Sequence, residues 1–283
     1  MYSLVVRLFN IDVLVLTDVE AAYRHITHSF RTQSGGQSKL LQDCFLTLTL
    51  LGPNENNTRY RLYFDSVLFV ERLEFADALL QLEHSLLQRS VKEGKGITVF
   101  HAAWVSLNHQ AILLIGESGT GKTSLCHQLL ERGFHYGSDE AAGFQNRTGF
   151  LLPFHRKLLI KPQSPIYTDD LQKFNADNFF WSVDRRAYLV PPGHPARWAS
   201  AGPYQLFFVF PHYDSLGPGC ECKELSTWES LQLLLLHCFQ LKSMDQVLFR
   251  RLLGALEPRR CLNINYSDAQ VATNSILRQM GKV

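Results

Sequence analysis

From Met1 to Thr17 apolar residues alternate with Arg7, Asn10 and Asp12, and the period of two over Ser3 to Leu16 predicts strand. Cys44 to Leu51 and Arg59 to Phe64 predict two further strands, joined as a hairpin by the polar turn Pro53 to Asn57, while Thr32 to Gly36 reads as a loose loop. Between Glu71 and Val91 the period lengthens. Leu73, Ala76, Leu79, Leu80, Leu86 and Leu87 recur at helical intervals, and Lys92 to Gly96 is a stop signal. That stop is the candidate boundary between a small α/β domain, residues 1–95, and a second domain, residues 96–283.

Past the boundary, Ile97 to Leu107 and Gln110 to Ile115 predict two strands joined by Asn108 and His109. Ala111 to Ile115 is uninterruptedly apolar, the pattern of a buried strand. Ser124 to Leu130 places apolar residues at helical spacing in a helix that runs to about Arg132 and is broken by Gly133. Between them lie Gly116, Glu117, Ser118, Gly119, Thr120, Gly121, Lys122 and Thr123, which fit G-x-x-x-x-G-K-[ST]. This is the P-loop pattern, in the strand–loop–helix setting it needs. Glycines bring the backbone close to phosphate oxygens, and the amides of 116–124, at the positive end of the helix, form an anion nest. Lys122 is expected to reach the β- and γ-phosphates of ATP, and the Thr123 hydroxyl to coordinate Mg²⁺.

Phe134 to Ser138 predicts a short strand ending in Asp139 and Glu140, only seventeen residues after Lys122. One helix and one strand fill that interval. A parallel α/β arrangement would return the strand beside Ala111 to Ile115 and set its end near the phosphates. One carboxylate is then placed to hold Mg²⁺ and the other to accept a hydroxyl proton, whereas the bland alternative is a solvated strand end. His101, at the start of the strand pair, is open to a structural or a site role. Further strands are expected at Ala142 to Gln145, Phe150 to Leu152, Lys157 to Ile160, Ala187 to Val190 and Tyr204 to Phe210. Ser226 with Glu229 predicts a capping box opening a Leu-rich helix, and Ser243 with Gln246 and Ser267 with Gln270 repeat the device.

Composition narrows the setting. Of 283 residues 46% are apolar, enough for a packed core, and a formal charge of +2 gives no electrostatic reason to expect a nucleic acid partner. The start has no continuous apolar segment of a secretory signal, and the richest apolar run, Leu231 to Leu236, is too short to span a membrane. The six scattered cysteines fit reduced thiols and a cytoplasmic location better than a disulfide framework. Cys220 and Cys222 lack the further ligands a metal site needs.

With His101 to Trp104, Gly116 to Ser124 and Gly133 to Glu140 in place, the chain resembles the HPr kinase/phosphorylase family, and within it the shorter HPr-kinase-like proteins of peptide-modification settings. The resemblance covers about Ile97 to Met280, most strongly His101 to Pro162, and takes in Leu152 to Lys157 with Lys161 and Pro162. It implies an α/β P-loop kinase domain of the HPr kinase/phosphoenolpyruvate carboxykinase type, preceded by a small α/β N-terminal domain. It implies ATP-dependent phosphorylation of a serine on a small protein or peptide, and a homo-oligomer. By position Asp139 matches the family's catalytic aspartate, Glu140 stands where a second aspartate is usual, and His101 matches a histidine near the phosphates. Pro191 to Arg197 is similar to a segment that closes over the nucleotide, and Arg156, Lys161 and Arg197 are open as contacts to nucleotide or substrate. Ala141 to Gly149 does not resemble the signature that supports dephosphorylation, so phosphorylase activity is not implied. Two other functions stay open from the residues themselves: a small-molecule kinase, and a nucleotide-binding regulator without catalysis.

Overall fold

The structure, a computed structural model, describes residues 1–9, 11–30, 32–33, 46–72, 74–154, 156–160, 179–181, 187–189, 198–217 and 219–281. It is a mixed α/β chain with several sheets. It divides into two compact units: Met1–Gly94 with His155–Lys157 and Phe174–Leu189, and Lys95–Phe154 with Leu158–Lys173 and Val190–Val283. Among the described residues no helix is long and apolar enough to cross a membrane.

The first unit carries β1 (Tyr2–Leu8), β2 (Ile11–Thr17), β3 (Thr32–Gln33), β4 (Leu46–Leu51), β5 (Tyr60–Phe64) and β6 (Val67–Arg72) in one sheet of order β3-β1-β2-β4-β5-β6. The single strand expected over Ser3 to Leu16 is two. Phe9 takes a left-handed φ of 54°, and Leu8 pairs with Ile11 across a tight hairpin, because a two-residue turn needs positive φ to match strand twist. Thr32 and Gln33, expected in a loop, pair with β1. Helix α1 (Glu20–Ser29), which the pattern did not predict, forms the crossover between the parallel neighbours β2 and β4. Helix α2 (Phe75–Glu93) starts later than expected because Val67–Arg72 continues as β6. Between the two helices His25 Nε2 lies 2.7 Å from Glu83 Oε1, both side chains buried.

The second unit is built on β7 (Ile97–Phe100), β8 (Ala102–Leu107), β9 (Gln110–Ile115), α3 (Lys122–Glu131), β10 (His135–Ser138), β11 (Ala142–Gln145), β12 (Leu151–Leu152) and β13 (Leu158–Ile160). After β14 (Phe179–Trp181) and β15 (Ala187–Leu189), an antiparallel pair counted with the first unit, it resumes. Its remaining elements are β16 (Gln205–Tyr213), β17 (Cys220–Glu224), α4 (Thr227–Leu236), α5 (Gln246–Ala255), β18 (Cys261–Tyr266) and α6 (Ala269–Gln279).

The main sheet has the order β10-β8-β9-β16-β18-β17. β9, β16 and β18 run parallel, and β8 and β17 run antiparallel to their inner neighbours. Successive side chains go to opposite faces, so each face carries its own layer. Trp104, Leu113, Ile115 and Phe208 pack in one core with Phe144, Leu231, Leu234, Leu248 and Leu252, under α4 and α5. Ile112, Leu114 and Ile264 are buried on alternate positions, where α3 packs on β8 and β9, and α6 on β17 and β18.

Three local expectations change. Ile97 to Leu107 is not one strand: the chain breaks at His101, with β7 pairing with β11 and β8 with β9 and β10. Ser226 and Glu229 do form a capping box, but the caps of α5 and α6 are Asp245 and Asp268 rather than Ser243 and Ser267. A carboxylate oxygen accepts from the first-turn amides and also complements the helix dipole. Lastly, β10 does not lie beside β9. It pairs antiparallel with β8, which intervenes because the tight hairpin at Asn108 and His109, both at positive φ, puts β8 against β9 first.

Candidate phosphate-binding site

The glycine loop leaves β9 after Ile115 and enters α3 at Lys122. Gly121 is the turning point, with φ 93° and ψ 7°, and no side chain caps the helix there. The carbonyl of Gly121 instead accepts the phenol of Tyr266, 2.9 Å away, at the end of β18. A Cβ on Gly121 would stand 1.8 Å from that oxygen, so both φ and space require glycine. Burial, and then the neighbouring Tyr213, push the Tyr266 phenol well above its ordinary pKa, so it stays a neutral donor. Thr120 Oγ1 closes the loop internally on the Glu117 carbonyl at 2.9 Å, and a Cβ at Gly116 would come within 2.8 Å of that hydroxyl. Gly119, at φ 96°, has nothing within 4 Å of where a Cβ would be.

Lys122 is buried, yet it belongs to the first turn of the helix. Its Nζ donates to the carbonyls of Gly116 at 2.6 Å and Glu117 at 2.7 Å, so the ammonium lies over the loop itself. Thr123 and Ser124 are half-buried in the same turn, while Glu117 and Ser118 are exposed.

Strand register brings the histidine to the loop. Ala102 pairs with Ile115, so His101 immediately precedes the strand that lies beside the last residue before the loop. His101 is also the corner between the two sheets, and its amide donates to the His237 carbonyl at 2.8 Å. Its Nε2 lies 3.8 Å from Glu140 Oε1, with both side chains partly exposed. Although β10 is one strand further from the loop than expected, two antiparallel steps make it parallel to β9. Ser138 pairs with Trp104, and Trp104 with Leu113, so β10 ends at the same edge as β9. A bulge at Gly137 fits it there: a Cβ on Gly137 would be 2.1 Å from the Trp104 ring.

The two acidic neighbours differ sharply. Asp139 is buried, its Oδ1 accepting from the Tyr136 hydroxyl at 3.0 Å and its Oδ2 from the Leu159 amide at 2.8 Å. Its charge also reaches Cys126, one turn along α3 from Lys122, whose thiol is held well above its usual pKa by burial first and by Asp139 second. Glu140, next along the chain, is the carboxylate that is partly exposed beside His101. Ser138 shapes the turn, its hydroxyl accepting from the amides of Glu140 and Ala141 at 3.0 Å.

His237 belongs to this group, and no motif pointed to it. It follows the last residue of α4, its ring centroid is 6.4 Å from that of His101, and Lys122 and Glu117 both act on its charge. Burial lowers its pKa most and Lys122 lowers it further, while Glu117 opposes them, so the imidazole is held neutral beside the ammonium. A histidine directly after the last turn of an amphipathic helix is its only sequence signal.

Among the described residues no three His, Cys, Asp or Glu side chains gather as a metal cage. Magnesium at phosphates needs no cage, since one or two protein oxygens join phosphate and water ligands. The Thr123 hydroxyl and the Glu140 carboxylate fit that donor type. Arg156 is buried in the first unit, its backbone bridged to Phe30. Lys161, Arg197 and the segment Pro191 to Arg197 lie outside the described residues.

The chain matches no family model. No curated protein matches it either. Among solved structures it is similar to the Hpr(Ser) kinase/phosphatase from Coxiella burnetii, at 10% sequence identity over 65% of this chain and 95% of that one. The TM-score is 0.30, at which a likeness carries no argument about fold or activity, so function rests on the side chains themselves.

Proposed function

We propose that the second unit is an ATP-dependent kinase that passes the γ-phosphate to the serine hydroxyl of a small protein or peptide. The observation that supports this reading is His101, 3.8 Å from Glu140, directly before Ala102, which pairs with Ile115, the last strand residue before the glycine loop. A phosphate-binding loop alone serves hydrolysis, signalling or transfer equally. A proton acceptor at the corner that leads into the neighbouring strand adds what transfer to a hydroxyl requires.

In this reading the amides of Gly116, Glu117, Ser118, Gly119, Thr120, Gly121, Lys122, Thr123 and Ser124 cradle the phosphates, and Lys122 moves from its loop carbonyls onto the β- and γ-oxygens. Thr123 and Glu140 would hold Mg²⁺, which would supply charge neutralisation at the phosphates. His101 takes the acceptor proton at a ring nitrogen, and the Glu140 carboxylate orients the ring and stabilises the imidazolium that results. The acceptor oxygen forms the new bond to phosphorus as the bond to ADP breaks. Asp139, which by position matches the family's catalytic aspartate, is assigned here to placement. A buried carboxylate already accepting two hydrogen bonds is poorly exposed to a substrate hydroxyl.

The test is labelled γ-phosphate ATP with Mg²⁺ and a set of serine-containing peptides, read by phosphoserine in the products. His101→Ala and Glu140→Gln are expected to reduce transfer about 10²–10⁴-fold with ATP binding retained. Label appearing in small metabolites would move the chain to a small-molecule kinase. Label remaining on ATP with every acceptor, despite binding, would leave a regulator.

A further inference from the structure

A cavity of about 210 Å³ lies at the edge of the main sheet opposite the glycine loop. Register fixes its place. Gln205, on its wall, pairs with Gln110 at the start of β9, whereas the loop departs after Ile115. Five residues of strand separate the two, roughly 17 Å. Nothing in the proposed phosphotransfer uses this end of the sheet.

Its wall combines an apolar surface with cations. Buried core side chains close its floor, and Pro203, Tyr204 and Ala255, all more open, line it together with Arg251 and Arg260. The neutral polar groups are already engaged: the Tyr204 hydroxyl donates to the Ser200 carbonyl at 2.7 Å, and the Thr148 hydroxyl to Gln145 Oε1 at 2.6 Å. Gln205 Oε1 accepts from Gln110 at 2.9 Å. Arg260 is shared with Glu257 at 3.4 Å. Arg251 has no ion pair among the described residues. Gly149, at φ 72°, allows this arrangement, because a Cβ there would stand 3.0 Å from Arg251 Cδ. The bare turn therefore gives the arginine stem a surface to lie on.

We infer that this cavity is a binding site for a small organic anion, an apolar body carrying one carboxylate. The hydrocarbon part lies on Pro203, the Tyr204 ring and Ala255, and the carboxylate takes the fork of Arg251 with support from Arg260. The volume, below the roughly 300 Å³ of drug-sized pockets, limits the ligand to about one ring and a short acid arm. The site would hold such an anion whether or not the opposite edge transfers phosphate.

Phenylacetate and its neutral isostere phenylacetamide, titrated into the full chain and followed by ligand-observed NMR, test this directly. Phenylacetate is expected to saturate at about millimolar concentration, with the amide about tenfold weaker or worse. The double variant Arg251→Gln with Arg260→Gln should weaken phenylacetate by about tenfold or more and leave the amide unchanged. Ala255→Phe, which fills the cavity, should abolish binding of both, and thermal melting of each variant confirms that it is folded. Equal binding of acid and amide, undiminished binding by the double arginine variant, or no saturable binding of phenylacetate would overturn the inference.

Discussion

The Tyr266 hydroxyl donates to the Gly121 carbonyl at 2.9 Å, tying the end of β18 to the residue at which the glycine loop turns left-handed into α3. The loop is thus held from outside by a strand more than a hundred residues later in the chain. Tyr266→Phe should lower stability by about 1 kcal/mol, the ordinary net value of one such bond, and weaken nucleotide binding modestly. Gly121→Ala should do far more, since its Cβ would stand 1.8 Å from the phenol oxygen and φ is 93°. Calorimetric titration with Mg·ATP beside a melting curve separates the two effects.

Asp139→Asn should act chiefly on stability. The amide can still accept one hydrogen bond but turns a donor toward either the Tyr136 hydroxyl or the Leu159 amide, which are satisfied now at 3.0 and 2.8 Å. A loss of about 1–3 kcal/mol in urea unfolding is expected, with transfer per folded molecule reduced much less than by Glu140→Gln. Full stability with transfer abolished would make Asp139 the base after all.

Gly137 lies against the Trp104 ring, with room for no side chain. Gly137→Ala forces the bulge off β8 and should destabilise the second unit by about 1–3 kcal/mol, as overpacking does. Because β10 carries Asp139 and Glu140 at its end, transfer should fall as well. The same substitution at Gly202, where nothing lies within 4 Å of a Cβ, is the control and should change neither.

His237 sets a pH dependence whose sign follows from its lowered pKa. The folded state disfavours the imidazolium, chiefly through burial and then through Lys122, so the unfolded chain takes up the proton first on acidification. Stability should therefore decline as pH falls below the ordinary imidazole value of about 6.5, and level off below the folded value. His237→Gln should flatten that part of the profile in denaturant unfolding across this range. An unchanged slope would show that His237 is not held neutral.

Much of the site was legible because its physics is local. Gly116 to Thr123 specify the loop through φ and space, the apolar run before it and the helical spacing after it supply its frame, and Ser226 with Glu229 predicted a real capping box. What escaped was set by distant partners. The corner at His101 depends on the bridge from Phe100 to Cys238 and on the bond to the His237 carbonyl, so the pattern from Ile97 to Leu107 reads as one strand. The expectation that β10 lies beside β9 followed a rule for parallel sheets, which a tight β8–β9 hairpin overrides. The engagement of Asp139 was half visible, in Tyr136 three residues earlier, and half hidden, in an amide twenty residues on.

The proposed kinase needs Lys122 and the glycine loop to hold the phosphates of ATP. Isothermal titration of Mg·ATP into the full chain and into Lys122→Ala measures this. Saturable binding by the native chain is expected, weakened about tenfold or more in the variant, with a melting curve showing that the variant is folded. Equal affinity in the two chains, or no binding by the native one, would contradict it.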